Sequence, residues 1–452
     1  MAGRHAPLTV GTSTESKDRG QAEVDQYIRE LRLELDAVRM ENQKLRTRWG
    51  RLSEPRYLLW TVARLAAKRL SAGFGRRRDA RGTGTSAFGP NFVPYRVRQL
   101  HSPEAGRPRV LHAVGNFYTG GSARLVVDLI EHLGHRFDQE VIARDVPPTP
   151  CYEGVRLHPQ PYFRDQRDAL ALLKRMRPEL LHVHFLGRGN PDWHWCQNLI
   201  DAAGEYGCKV VENVNIPVAP YIGEAVSHYV FVSDYVLRRF GRLDTRNVTI
   251  YPGSDLQTFS RAGDTPPPDD VVGMVCRLEP DKLDLTSISV FIEVVRHRPG
   301  TRALIVGGGR LLPHYRKAVE DAGVQAAVTF TDYVAYEDLP AHYARMSVFV
   351  SPVHTESFGH VSPLAMAMHL PVVAYAVGAL PEIVGDPSLL APPTDHVRLA
   401  EIIIHLLDNR PRRLAIGEAN RRRAAELFSV EAMIQKTADI YEELLMLSVR
   451  ER

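Results

Sequence analysis

Apolar positions along the chain fall into two regimes. Between residues 24 and 52 they recur every seven residues, at Val24, Leu31, Val38, Leu45 and Leu52, with Ile28, Leu35 and Asn42 four positions after the first three. That spacing predicts a coiled-coil seam over 23–53, with Asn42 as a register-setting polar residue and a parallel homodimer through Val24–Leu52; a lone amphipathic helix packed on the body remains the alternative. From residue 109 onward the pattern changes to short unbroken apolar runs, each followed by a turn or an amphipathic stretch. Val110–Val114, Leu180–His184, Lys209–Val211 and Tyr229–Val232 read as strands of one parallel sheet. Val271–Val275, Ala303–Val306, Val328–Phe330, Val348–Val350 and Val372–Tyr375 read as strands of a second. Leu125, Val126, Leu129, Ile130 and Leu133 share one face of a helix that follows the first strand.

The expected fold class is therefore α/β, with two Rossmann-like doubly wound domains behind an N-terminal coiled-coil extension. The boundaries read from the pattern are a disordered tail over 1–22, the coil over 23–53, and a basic amphipathic helix with its linker over 54–105. An N-terminal domain follows over 106–262, then a C-terminal domain over 263–430 and a C-terminal helix over 431–452. Composition agrees: 452 residues, 44% hydrophobic and 24% charged, suffice for two cores. The net charge of +4 is too small for this length to point to nucleic acid. Four scattered cysteines without a CxxC pair give no disulfide framework and fit a cytoplasmic protein. No apolar run is long enough to span a membrane. Around Tyr57, Trp60, Leu65 and Leu70, however, Arg56, Arg64, Lys68 and Arg69 make a basic helix suited either to peripheral membrane contact or to packing with a solvated cationic face.

Candidate chemistry concentrates where strands end. Glu356 to Gly359 form a turn between the Val348–Val350 strand and a helix for which Ser362-Pro363 supply an expected N-cap and first-turn proline. The backbone amides of Phe358, Gly359 and His360 are then free for a phosphate. Arg277 and Lys282, five residues apart beyond the Val271–Val275 strand, offer two cations to the same group. Gly115-x-x-x-x-Gly120-Gly121-Ser122 imitates a P-loop but has Gly121 where the lysine must stand, which excludes that class of NTPase. Gly307-Gly308-Gly309 is followed by Leu312 where the dinucleotide fingerprint needs its third glycine.

In order along the chain, VLHAVGNFYTGGSARLVVDL, VVENVNIP, FVSDYVLRRF, IYPGSDLQTF, VCRLEPDK, LIVGGG, DLPAHYARMSVFVSPVHTESFG and AMAMHLPVVAYAVGALPEIV resemble the retaining glycosyltransferases of family 4. The resemblance implies the GT-B fold and a nucleotide-sugar donor bound without metal, in keeping with the lack of a DxD or a His/Cys cluster in the sequence. It puts Gly120 and Gly121 against donor phosphates and acceptor, Arg277 and Lys282 on the diphosphate, and Glu356 on the transferred sugar. Ser357, Phe358, Gly359 and His360 form the phosphate turn, and Tyr333 and Val334 lie in the segment whose backbone meets the base. Glu356, Arg277 and Lys282 are thus the expected catalytic residues. Two positions depart from the family pattern: Leu364 stands where the second acid of E-x7-E holds the ribose, and Asn215 where histidine is common. The implied function is retaining transfer of a sugar to the hydroxyl of an acceptor whose identity is open. The alternatives are an inactive GT-B scaffold that binds nucleotide sugar, or an unusual donor or acceptor.

Overall fold

The computed structural model describes residues 94–98, 101–118, 120–185, 187, 193–241, 246–261 and 268–450. The tail, the coiled coil, the basic helix and most of the proline-rich break at 265–268 lie outside these residues.

The first sheet is built from β2 (Arg109–Asn116), β3 (Asp138–Asp145), β5 (Leu157–Pro159), β6 (Leu180–Phe185), β7 (Lys209–Val214), β8 (Val226–Phe231) and β9 (Asn247–Thr249), joined in the order β5-β3-β2-β6-β7-β8-β9. All its pairings are parallel. Its strands run unbroken in hydrophobicity because both faces are covered, so β2 is buried from Val110 to Gly115. A short pair outside this sheet, β1 (Tyr95–Arg96) with β4 (Tyr152–Glu153), ties down part of the stretch that the sequence reading gave to the linker. Among the helices are α1 (Gly121–Leu133), α2 (Gln166–Met176), α3 (Trp193–Tyr206) and α4 (Asp234–Phe240). The Asp165 carboxylate caps α2 by accepting from the amides of Arg167 and Asp168.

The second sheet repeats the plan with β10 (Val271–Val275), β11 (Arg302–Val306), β12 (Val328–Phe330), β13 (Val348–Ser351), β14 (Val372–Tyr375) and β15 (Leu390–Ala391), in the order β12-β11-β10-β13-β14-β15 and all parallel. Around it lie α5 (Ser289–His297), α6 (Leu312–Asp321), α7 (Leu339–Tyr343), α8 (Val361–Ala367), α9 (Leu380–Val384), α10 (His396–Asp408) and α11 (Arg410–Leu427). In each sheet the first strand lies between the second and the fourth, so the crossovers part there. That topological switch point, β2/β6 in one sheet and β10/β13 in the other, opens a crevice at the strands' carboxyl ends.

The last helix, α12 (Val430–Arg450), does not stay with the second sheet. At Ser254, whose amide donates to the Phe428 carbonyl at 2.7 Å, the chain crosses back, and α12 buries Met433, Ile440, Tyr441 and Leu444 against α1 and the first sheet. One local expectation is corrected. Ser362 is not an N-cap: α8 starts at Val361 after His360, which leaves Ser362 buried within the first turn, where its hydroxyl has no partner among the described residues. Pro363 does sit in that turn, where its missing N–H costs nothing.

Candidate active site

Two loops meet at the switch point of the second sheet. The loop after β10 carries Arg277 and Lys282, and the loop after β13 carries Glu356. They are stitched together because the His354 amide donates to the Lys282 carbonyl at 2.9 Å and the His354 ring contacts the Pro280 carbonyl at 3.2 Å. Lys282 Nζ then forms an ion pair with Glu356 Oε1, and the same oxygen accepts the Ser357 amide at 3.0 Å. Glu356 is buried, while Lys282 keeps about a third of its side chain exposed (32%). A carboxylate withdrawn from water requires such a partner, because an unpaired one would cost several kcal/mol.

The turn that follows is shaped by glycine. Gly359 has φ +84°, and a side chain there would press on the Glu356 stem. Beyond it, the amides of Phe358, Gly359 and His360 donate to no other group among the described residues. The Phe358 ring is itself committed to packing on Tyr251, 5.9 Å away, and on Phe428, 5.8 Å away.

A cavity of about 210 Å³ lies between the two sheets' loops. Gly120, Gly121 and Arg124 line it from the first domain, Tyr95 and Tyr152 from the short strand pair, and Tyr333, Tyr336, His360 and Leu364 from the second domain. Arg124 is held between two rings, 4.3 Å from the Tyr95 centroid and 5.0 Å from that of Tyr336, and its Nε donates to Asp128 at 2.8 Å. Burial raises the Asp128 carboxyl to about 7 against the pull of Arg124. Burial, reinforced by the Arg124 charge, pushes the His360 imidazole down to about 4, so the ring is neutral at physiological pH.

The structure gathers Lys282, Glu356, Ser357 and Gly359 into one cluster and brings Gly120, Gly121, Tyr333 and His360 to one cavity. Arg277 joins neither: it points outward and pairs with Asp281 at 2.9 Å, as an i,i+4 surface pair does. Val334 packs on the core beside Tyr333, whose amide is taken by Asp332 Oδ1 at 2.8 Å. Asn215 follows β7, accepts from Asn213 Nδ2 at 2.7 Å, and buries an amide nitrogen with no partner among the described residues.

Sequence reasoning missed Arg124, Tyr95 and Tyr336. Arg124 has a local signal, a basic residue three positions after the glycine pair, but the tyrosines reach the cavity only through the tertiary fold. The expectation that no His/Cys cluster exists is also corrected. His112 on β2 and His182 and His184 on β6 bring one nitrogen each within 4.8 Å of the others. The alternation His182-Val183-His184 was visible in the sequence, but the third member lies seventy positions earlier.

Two parallel doubly wound domains with their loops facing across a crevice define the GT-B class of fold. Solved structures agree at the level of fold. Sucrose-phosphate synthase from Thermosynechococcus elongatus matches with a TM-score of 0.61 at 21% identity, covering 75% of this chain and 100% of that one. The Anabaena protein HepE, solved in complex with UDP, matches with a TM-score of 0.62 at 17% identity, covering 74% and 100%. Residues 269–409 match the family described as Glycosyl transferases group 1. The fold is GT-B, and the family match over 269–409 falls on the segment that carries the second half of the motifs. The GDP-mannose-dependent alpha-(1-6)-phosphatidylinositol monomannoside mannosyltransferase of Mycobacterium tuberculosis is 31% identical over 243 residues, 48% of this chain and 62% of the relative. The D-inositol 3-phosphate glycosyltransferase of Corynebacterium aurimucosum is 30% identical over 254 residues, 53% and 60% respectively. The chain thus spans less than two thirds of the length of these curated relatives.

Proposed function

We propose that this protein transfers a sugar from a nucleoside diphosphate sugar to an acceptor hydroxyl with retention of anomeric configuration. The observation that carries the reading is the Lys282–Glu356 pair, set at the switch point of the second sheet beside a turn with free amides. In the transfer, the bond from the anomeric carbon to the diphosphate oxygen breaks and a bond to the acceptor oxygen forms on the same face. The acceptor proton passes to the departing phosphate. Negative charge grows on the diphosphate, so Lys282 and the amides of Phe358, Gly359 and His360 act where transition-state charge develops, while Glu356 orients sugar hydroxyls. Arg277 joins this set by releasing Asp281 when the donor arrives. No metal is required for this step, since these groups meet the charge. The relatives' names include GDP-mannose-dependent and inositol phosphate transferases, which supports a nucleotide-sugar donor and leaves the acceptor open.

Glu356→Gln and Lys282→Ala are each expected to lower kcat/KM at limiting donor by roughly 10²–10³-fold, the magnitude typical of losing one preorganised group at developing charge. Near-normal turnover in both variants would sink the assignment. Leu364 favours a second reading, an inactive scaffold that binds nucleotide sugar, because it brings an apolar side chain to the cavity where the family pattern has an acid. Donor binding without transfer or hydrolysis would select that reading.

The chain's first segment belongs to the same proposal. The heptads from Val24 to Leu52 join two copies, and the basic helix after them rests on an anionic membrane surface of the cytoplasm. Among the described residues no helix is long and apolar enough to cross a membrane. Removal of residues 1–93 is expected to take the particle measured by light scattering from two copies to one while turnover on a soluble acceptor persists; a particle that still holds two copies would exclude the coil as the dimer contact.

A further inference from the structure

We propose that His112, His182 and His184 form a binding site for a divalent transition-metal ion of the zinc class, set at the switch point of the first sheet. Residues two apart on a strand face the same way, and the directly opposite residue on the neighbouring strand lies beside them. His182 and His184 are such a pair on β6, and His112 on β2 is the register partner of His182. The three rings are fully enclosed, with centroids 4.4, 5.5 and 5.8 Å apart.

Their hydrogen bonds leave nitrogens free for a ligand, and one nitrogen of each ring lies within 4.8 Å of the others. Gln139 Nε2 donates to the Leu129 carbonyl at 3.0 Å, so its Oε1 accepts the Nε2–H of His112, also at 3.0 Å. A neutral imidazole has one N–H, and Nδ1 of His112 is therefore a free lone pair. His182 Nδ1 meets the Tyr441 hydroxyl at 2.6 Å, and Nε2 makes no hydrogen bond of good geometry among the described residues; in the tautomer with the proton on Nδ1, which metal binding selects, Nε2 offers its lone pair, with Asn213 as a polar neighbour. Neither nitrogen of His184 has a partner among the described residues. Buried polar atoms left unpaired in this way call for a ligand or an ordered water.

Three neutral imidazoles, two of them fixed from behind by Gln139 and Tyr441, make the donor set and outer support that borderline divalent ions prefer over calcium or magnesium. Zinc–nitrogen bonds of about 2.0–2.1 Å require the triangle to contract slightly through ring rotation. Bound there, the ion would brace β2 against β6 beneath α1 and α12. It is remote in role from the donor chemistry, and the proposal does not depend on the reading of the crevice.

The test uses the full chain expressed with added zinc, washed with chelator, and then unfolded in guanidinium with a chromogenic zinc indicator. One equivalent released only on unfolding supports the site, because a buried ion is loaded with folding. His184→Leu is expected to abolish that equivalent, and Gln139→Leu, which removes only the outer support of His112, to weaken retention against a competing chelator by about 10–100-fold. Refolding with Co²⁺ provides a readout on the unmutated chain, with visible ligand-field bands expected. Absence of both the equivalent and the bands would mean that the rings hold water and would overturn the proposal. Equal metal in the wild type, His112→Leu and His184→Leu would likewise overturn it as an adventitious ion.

Discussion

Glu356 is fixed through both its side chain and its backbone. Its carboxylate takes Lys282 and the Ser357 amide, and its carbonyl accepts the Ala379 amide at 3.1 Å from the turn after β14. That turn approaches so closely that Gly378, at φ +56°, has no room for a side chain: a Cβ would clash with the Glu356 carbonyl oxygen. Gly378→Ala is therefore expected to cost about 1–3 kcal/mol in stability, as overpacking does, and to lower transfer by displacing Glu356. Thermal melting and kcat/KM measured together check this, and a variant that melts like the wild type with full turnover would contradict it. At this scale the sequence revealed the acid and the glycines but not their contact. Glu356 and Gly378 are separated by a whole helix, and only the return of β14 beside β13 brings them together.

Among the elements, α12 decides most about the first domain. Its apolar face closes over Val110, Leu180, Val211 and Val230, which a seven-stranded sheet would otherwise expose. Leu444→Ala, the last fully buried position of that contact, is expected to destabilise the protein by about 2–5 kcal/mol, the cost of a cavity at a buried leucine. Chemical denaturation is the measurement, and a loss under about 1 kcal/mol would show that α12 packs loosely. The strands legible in the sequence were short apolar runs: Val271–Val275 and Val372–Tyr375, buried throughout, and the edge strand Val328–Phe330 have the bounds those runs gave. β3 escaped notice because its sequence DQEVIARD is polar at five of its eight positions, with Gln139 satisfied by His112 and the Leu129 carbonyl and Asp138 by Arg156, partners that sit elsewhere along the chain. β9 and β15 are two or three residues long and have no period to read.

On the scale of the whole molecule, Arg124 joins the two sheets' loops, because its guanidinium lies on Tyr95 from one side and Tyr336 from the other. Arg124→Leu strands Asp128, a loss that for a buried pair is about 3–5 kcal/mol when the remaining charge cannot be neutralised. Here it can be: burial already holds the Asp128 carboxyl near 7, above its ordinary 3.8, and without Arg124 it moves further up. A carboxyl raised in the folded state gives stability that is complete below its unfolded value and fades as pH rises through the folded one. The deficit of Arg124→Leu relative to wild type is accordingly expected to be small near pH 5 and to grow toward pH 8; melting temperatures across that range test it, and a pH-independent deficit would refute the account. By itself the sequence determined the two α/β domains, the turns that end their first strands, and the acid, lysine and glycines on which the family likeness rests, because runs buried on both faces and conformationally special turns are written in local residue types. Tertiary structure alone decided that Lys282 pairs with Glu356 while Arg277 faces solvent, that a tyrosine-lined cavity takes in Leu364, and that three histidines converge, because each depends on which strands become neighbours, and parallel strands are joined only through long crossovers.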